Sequence, residues 1–237
     1  MGVKKRSDFM IGIIFAMKEE LDEFLKLVNN IEEKKIFDLI FYECMLDNKK
    51  LVLVESGVGK VNAARTTQVL IDKMNVDFIF NIGVAGSVSS DVNVLDIVIG
   101  TRQVQHDFDI TAFNHEKGYI PNVGVYISSD NKLLDIARKV KTETNIHEGV
   151  IASGDIFVTE PEMSRKIFTK FNALAVEMEG ASIAQVCYLC NIPYLVIRSI
   201  SDSPNINDNN KLTYEEFLEK SSKLVSNYLK DIILNIK

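Results

Sequence analysis

Four charged residues stand where apolar segments would not accept them alone. In ALAVEMEGASIAQVCYLCNIPYLVIRSISDS (173–203), Glu177 and Glu179 interrupt one hydrophobic run, Arg198 sits inside another, and Asp202 lies just past its end. A buried charge without partners costs several kcal/mol, so this spacing implies one shared site. Carboxyl groups held in such surroundings are the material of general acid–base catalysis, because an apolar pocket raises the pKa of an acid toward neutrality.

Elements must bring these residues together. The stretch itself reads as strand, helix, strand, and open α/β sheets bind ligands beyond the carboxyl ends of their strands. The residues that follow each expected strand are therefore the candidates: Met17 and Glu20, the turn 56–59 with Val58, Val84 to Gly86, Phe157 and Val158, Glu177 to Glu179, and Ser201 with Asp202. They combine several acids, small glycine-containing turns, and apolar or aromatic walls. Few are positive, which disfavours a strongly anionic ligand. Gly57-Val58-Gly59-Lys60 lacks the spacing of a P-loop and the third glycine of a dinucleotide fingerprint, so a tight strand-to-helix turn explains it.

The remaining elements follow from pattern. An apolar run at 10–16 predicts a buried strand, and Leu21, Phe24, Leu25 and Val28 predict a helix with acids in its first turn. Strands are expected at 36–46 and 50–55, joined at Asp47-Asn48, and at 78–82, 96–100 and 149–153, with a helix at 61–74. Gly83-Val84-Ala85-Gly86 reads as a close backbone approach after the 78–82 strand. Residues 101–121 read as a long polar and aromatic loop, a length that is usually functional. Asp130 caps a helix through Val140. Pro161 opens another helix, ending near Phe171. A polar loop at 202–211 and a Thr213/Glu216 capping box precede the last helix. Strands alternating with helices predict a single-domain three-layer α/β/α sandwich around a mixed, mostly parallel twisted sheet, with 1–9 a flexible tail and 10–237 the domain.

Composition narrows the function. The 237 residues are 46% hydrophobic and 25% charged, the profile of a globular protein with a sizeable core. A net charge of −6 argues against nucleic acid or an anionic membrane as partner. No apolar segment reaches the ~18 residues of a membrane span, and the N-terminus lacks a signal-peptide pattern. Three cysteines fit a reducing compartment, so a cytoplasmic protein is expected, a removed leader aside. Cys187-x-x-Cys190 lies within an apolar helical pattern and reads as packing. The three histidines are isolated from one another, which argues against a metal site.

In combination the segments resemble the 5′-methylthioadenosine/S-adenosylhomocysteine nucleosidases of the purine nucleoside phosphorylase-like superfamily. The carriers are IGIIFAMKEEL (11–21), ESGVGKVNAA (55–64), NIGVAGS (81–87), SGDIFV (153–158), AVEMEGASIAQVC (175–187) and RSISD (198–202). The resemblance implies cleavage of an adenine–ribose bond without metal or redox cofactor. It makes Asp202 the acid that protonates the purine, oriented by Ser201, and Glu20 the base that activates water, with Arg198 nearby to position it. Glu179 would bind the ribose hydroxyls above Met178. Phe157 would stack on adenine and Val158 would read its edge, with Ala85 and Gly86 lining base and sugar. Met17 also falls at the site, and Val58 would border an apolar 5′ channel. Relatives are homodimers, and Ile110, Phe113 and Pro121 match the residues that close the partner's channel. Val84 stands where relatives often carry Ser or Thr. Rival expectations are a phosphorylase of this fold, a futalosine-type nucleosidase, and a nucleoside sensor or adhesin without catalysis.

Overall fold

The computed structural model describes residues 9–202 and 214–237. The N-terminal Lys-Lys-Arg run, most of the expected 202–211 loop and Thr213 of the expected capping box lie outside them. In chain order the elements are β1 (Met10–Phe15), α1 (Lys18–Leu25), β2 (Asn29–Ile36), β3 (Leu39–Leu46), β4 (Lys49–Glu55), α2 (Lys60–Met74), β5 (Phe78–Ser87) and β6 (Ile97–Gln105). A 3₁₀ turn (Thr111–Phe113), β7 (Ile127–Ser128), α3 (Asn131–Ala137), β8 (Ile146–Ser153), α4 (Pro161–Phe171), β9 (Ala173–Glu177), α5 (Gly180–Cys190), β10 (Tyr194–Asp202) and α6 (Tyr214–Leu234) follow.

The sheet separates two apolar layers because successive strand residues point to opposite faces. Ile11, Ile13 and Phe15 of β1, with Phe78, Phe80 and Ile82 of β5, pack toward α1, α3 and α6. Ile14, Ile79, Val52 and Val54 pack toward α2 and α5 through Ala63, Leu70, Ile183, Ala184 and Cys187. Both faces are thus covered, as the continuous apolar runs require. α2, α4 and α5 each end on an asparagine in the left-handed conformation, Asn75, Asn172 and Asn191, a conformation asparagine tolerates better than most residues. Among the described residues no helix is long and apolar enough to cross a membrane.

Strand order adds something an open sheet lacks. The path runs β10-β6-β8-β9-β5-β1-β4-β3-β2, and β5 pairs with β10 as well, so five strands close on themselves. β4, β1, β5 and β10 run parallel in sequence across the sheet, and β6, β8 and β9 form a second parallel set. Antiparallel pairings join the two sets at β10–β6 and β5–β9, and the β2–β3–β4 meander forms the far edge.

Four expectations shift. The first helix stops at Leu25 and leaves Val28 outside it, because the chain turns into β2, an exposed polar edge strand without apolar alternation. β5 continues through Gly83 to Ser87, past the expected strand end at Ile82, because β10 and then β9 supply pairing partners. β6 likewise runs to Gln105, so the expected long loop begins about five residues later. The helix after Asp130 ends at Ala137, short of Val140, although Asp130 Oδ1 does accept the N–H groups of Lys132 and Leu133.

Candidate active site

A cavity opens at the carboxyl ends of β1, β5, β8, β9 and β10, where open α/β sheets bind ligands. Of the predicted residues it gathers Met17, Glu20, Val58, Ala85, Gly86, Phe157, Val158, Met178, Glu179, Ser201 and Asp202. Ala16, Val84, Ile156, Val176 and Glu177 complete the wall. Val84 presents no hydroxyl, so that side of the cavity is apolar where Ser or Thr would be polar.

Glu20 is placed by the start of α1. The helix has no side-chain cap from Met17, and its free N-terminal N–H groups need acceptors. Glu20 turns back to meet them: Oε2 accepts from Ala16 N at 3.0 Å and Met17 N at 3.1 Å. Its Oε1 accepts Val84 N–H at 2.9 Å. That last donor lies where β5 has left β1, after Asn81, and has not yet met β9, at Gly86. Glu20 thus spans a gap in the sheet. It is 3% exposed. Burial raises its pKa, opposed by the charge of Arg198 and the three N–H donors.

Glu179 begins α5 and reaches the opposite wall, where Oε1 accepts Gly59 N–H at 2.8 Å from the start of α2. Burial, and then the neighbouring Glu177 charge, push its pKa up to about 7 against the pull of Arg198 and Gly59 N–H. Glu177 is held differently. It accepts N–H bonds from Glu179 and Gly180 at 3.1 and 2.7 Å, a bond from Ser153 Oγ, and the ion pair of Arg198. With its lone pairs so committed, it supports the site more than it faces a ligand.

Asp202 ends β10, where a register shift against β5 pairs Ile200 with Ala85 and Asp202 with Gly86. The extra residue lets consecutive Ser201 and Asp202 both face the cavity, which strict alternation would forbid. Ser201 Oγ donates to Asp202 Oδ1 at 2.7 Å. Asp202 Oδ2 lies against Gly86, where a Cβ would stand 3.0 Å away. Burial raises the Asp202 pKa, with the Ser201 bond opposing.

One expected substrate contact falls outside this wall, and the residues expected at a partner's channel lie apart from it. Arg198 is 1% exposed and does not line the cavity; its guanidinium donates to Glu177, to Asn81 Oδ1 and to the carbonyls of Asn81 and Ile197. It therefore acts on Glu20 and Glu179 through charge. Ile110, Phe113 and Pro121 also lie away from this chain's own cavity, and Phe113 is 76% exposed. Asn81 and Ser153, unassigned from sequence, carry the buried network; each lay within a recognised motif, and Asn81 is a lone amide in an apolar strand. Ile156 and Val176 also lay within recognised motifs, but hydrophobicity alone did not mark them as wall residues.

Comparison with known proteins identifies the family. The model of the Phosphorylase superfamily matches residues 10–234. A 5′-methylthioadenosine/S-adenosylhomocysteine nucleosidase of Staphylococcus carnosus is 38% identical over 96% of this chain and 100% of its own. An aminodeoxyfutalosine nucleosidase of Helicobacter pylori is 38% identical over 94% of this chain and 97% of its own. Among solved structures, the Helicobacter pylori 5′-methylthioadenosine/S-adenosylhomocysteine nucleosidase with butyl-thio-DADMe-Immucillin-A superposes with a TM-score of 0.88 at 38% identity, covering 95% of this chain and 97% of that one. The S. pneumoniae 5′-methylthioadenosine/S-adenosylhomocysteine nucleosidase with the transition-state inhibitor MT-ImmA gives a TM-score of 0.89 at 33% identity, covering 97% of this chain and 100% of that one. With fold and relatives in accord along nearly its whole length, the chain belongs to the Phosphorylase superfamily, in the nucleosidase branch that these enzymes represent.

Proposed function

We propose that this chain hydrolyses the N-glycosidic bond of 5′-methylthioadenosine and S-adenosylhomocysteine, and of 5′-deoxyadenosine, releasing adenine. One observation carries the choice of water over phosphate: among the described residues, the cavity wall presents the carboxyl groups of Glu20, Glu179 and Asp202 and no lysine or arginine. Carboxylates would repel a phosphate nucleophile, whereas they can activate water.

Each acid has a distinct task in this reading. Adenine leaves poorly as an anion, so Asp202 gives its proton to N7 as the bond stretches; its raised pKa keeps that proton available, and Ser201 orients the carboxyl. Glu20, held by three backbone N–H groups, takes a proton from the water that attacks the ribose carbon. Glu179 accepts hydrogen bonds from the ribose hydroxyls and offsets positive charge on the sugar, with Met178 beneath it. Phe157 and Val158 receive the base, Ala85 and Gly86 line base and sugar, and Met17 and Val58 border the 5′ side. A homodimer would let Ile110, Phe113 and Pro121 of one subunit cover the other's 5′ channel. Residues 10–237 would act as one catalytic domain in the cytoplasm, with no metal or redox cofactor required.

The test is adenine release from a panel of 5′-substituted adenosines in phosphate-free buffer. Turnover without phosphate is expected, with Asp202→Asn lower by roughly 10²–10⁴-fold. Strict dependence on phosphate would sink the hydrolase reading. The similarity to an aminodeoxyfutalosine nucleosidase, at the same identity as the methylthioadenosine enzyme, favours one second reading, so aminodeoxyfutalosine belongs in the panel.

A further inference from the structure

Glu179 and the loop bearing Phe157 meet the same helix end. Gly59 N–H binds Glu179 Oε1, and the next N–H, Lys60, binds Asp155 Oδ1, both at 2.8 Å. α2 has no side-chain cap of its own, so two carboxylates from distant segments satisfy its first donors. Gly59 adopts φ +101°, and a Cβ there would stand 3.2 Å from Asp155 Oδ1, so the approach requires glycine.

The ring closes through Asp107. Its Oδ2 accepts Asp155 N–H at 2.9 Å, and its Oδ1 receives Lys60 Nζ at 2.7 Å. Lys60 Nζ also donates to Gln105 Oε1 at 3.1 Å. Three bonds thus link Lys60, Asp155 and Asp107 in a cycle, each residue from a different segment. Residues 154–160 have no regular structure and carry Ile156, Phe157 and Val158 into the cavity wall. Their start is fixed: Gly154 N–H binds the Glu177 carbonyl, and a Cβ on Gly154 would overlap the buried His106 ring at 2.4 Å. Beyond Gly154, Phe157 is 62% exposed, so ring packing alone does not set its position.

We infer that Asp155 is a positioning residue for the nucleoside site, holding the Phe157 wall and the start of α2, and so Glu179, in register through its bond to Lys60 N–H, with Asp107 and Lys60 completing the clamp. This rests on the nucleoside reading of the cavity, but only in part. The distinction between Asp155→Ala and Asp155→Asn tests it, since asparagine Oδ1 can still accept Lys60 N–H and alanine cannot. The chain contains no tryptophan, so Phe157→Trp supplies a unique fluorescent reporter. In that background, Asp155→Ala should lower the anisotropy of the empty protein's tryptophan and Asp155→Asn should leave it unchanged. With the native Phe157, Asp155→Ala should lower kcat/KM for 5′-methylthioadenosine about tenfold or more, mainly through KM. Asp155→Asn should stay within about threefold. Equal anisotropy in all three proteins, or an alanine variant as active as the parent, overturns the role. The anisotropy arm needs no substrate, so a wrong substrate assignment and a wrong positioning role give different outcomes.

Discussion

At the scale of single residues, the site is an excess of acid around one buried base. Arg198 donates its guanidinium to Glu177 and Asn81 and reaches Glu20 and Glu179 through charge alone. Burial therefore raises the pKa of Glu20, Glu179 and Asp202. For Glu179 the shift runs from 4.5 to about 7, so the folded protein holds this proton more tightly than the unfolded chain. Between those pH values the native state binds more protons, and stability falls as pH rises. Glu179→Gln removes that dependence. The variant should gain stability over the parent at pH 8 relative to pH 4, by up to about 3 kcal/mol, while losing nucleoside turnover. Denaturant melts of the empty proteins at both pH values check this; a stability difference independent of pH would refute it.

At the scale of elements, β5 is the organiser. Its first half sits between β1 and β10, and its second half reaches β9, so that the strand meets both ends of the catalytic set. Gly83 marks the crossing. A Cβ there would lie 2.4 Å from Glu20 Oε1, and that carboxylate is pinned by three N–H groups rather than free to swing. Gly83→Ala is expected to cut kcat/KM at least tenfold and to cost about 1–3 kcal/mol. Gly12→Ala is the contrast: its Cβ meets Leu70 Cδ2 at 2.7 Å, in the core between β1 and α2. It should lower stability with kcat/KM unchanged. Steady-state kinetics beside thermal melts separate the two, and parental kinetics in Gly83→Ala would show that Glu20 can move freely.

At the scale of the whole molecule, closure of five strands puts the ends of β5, β8, β9 and β10 around one mouth. The mouth is bordered by apolar side chains, with Val58 and Phe157 both exposed on the single chain. The proposed homodimer accounts for this, since Phe113 of a second subunit would have somewhere to pack. Sedimentation equilibrium should give twice the chain mass, and Phe113→Ala should raise KM most for substrates with long 5′ groups. A fully active monomer at micromolar concentration would remove the dimer from the account.

Much of this was legible in the residues. Buried strands announce themselves as apolar runs because both sheet faces are covered, and Glu177, Glu179, Arg198 and Asp202 announce themselves because charge in such runs needs a partner. Chain order alone determined the layered fold and most of the cavity-lining set, but not the ends of β5 and β6, which run about five residues beyond the apolar runs that mark them. It could not determine which acid Arg198 would pair with, because that depends on how β9, β10 and β5 approach in space. Nor could it reveal the closing of the sheet, the bulge that turns Ser201 and Asp202 to one side, or the polar β2 edge, since pairing between distant segments decides them and no local pattern records it. The four charges were visible in sequence; which of them pair with one another was decided only by tertiary contact.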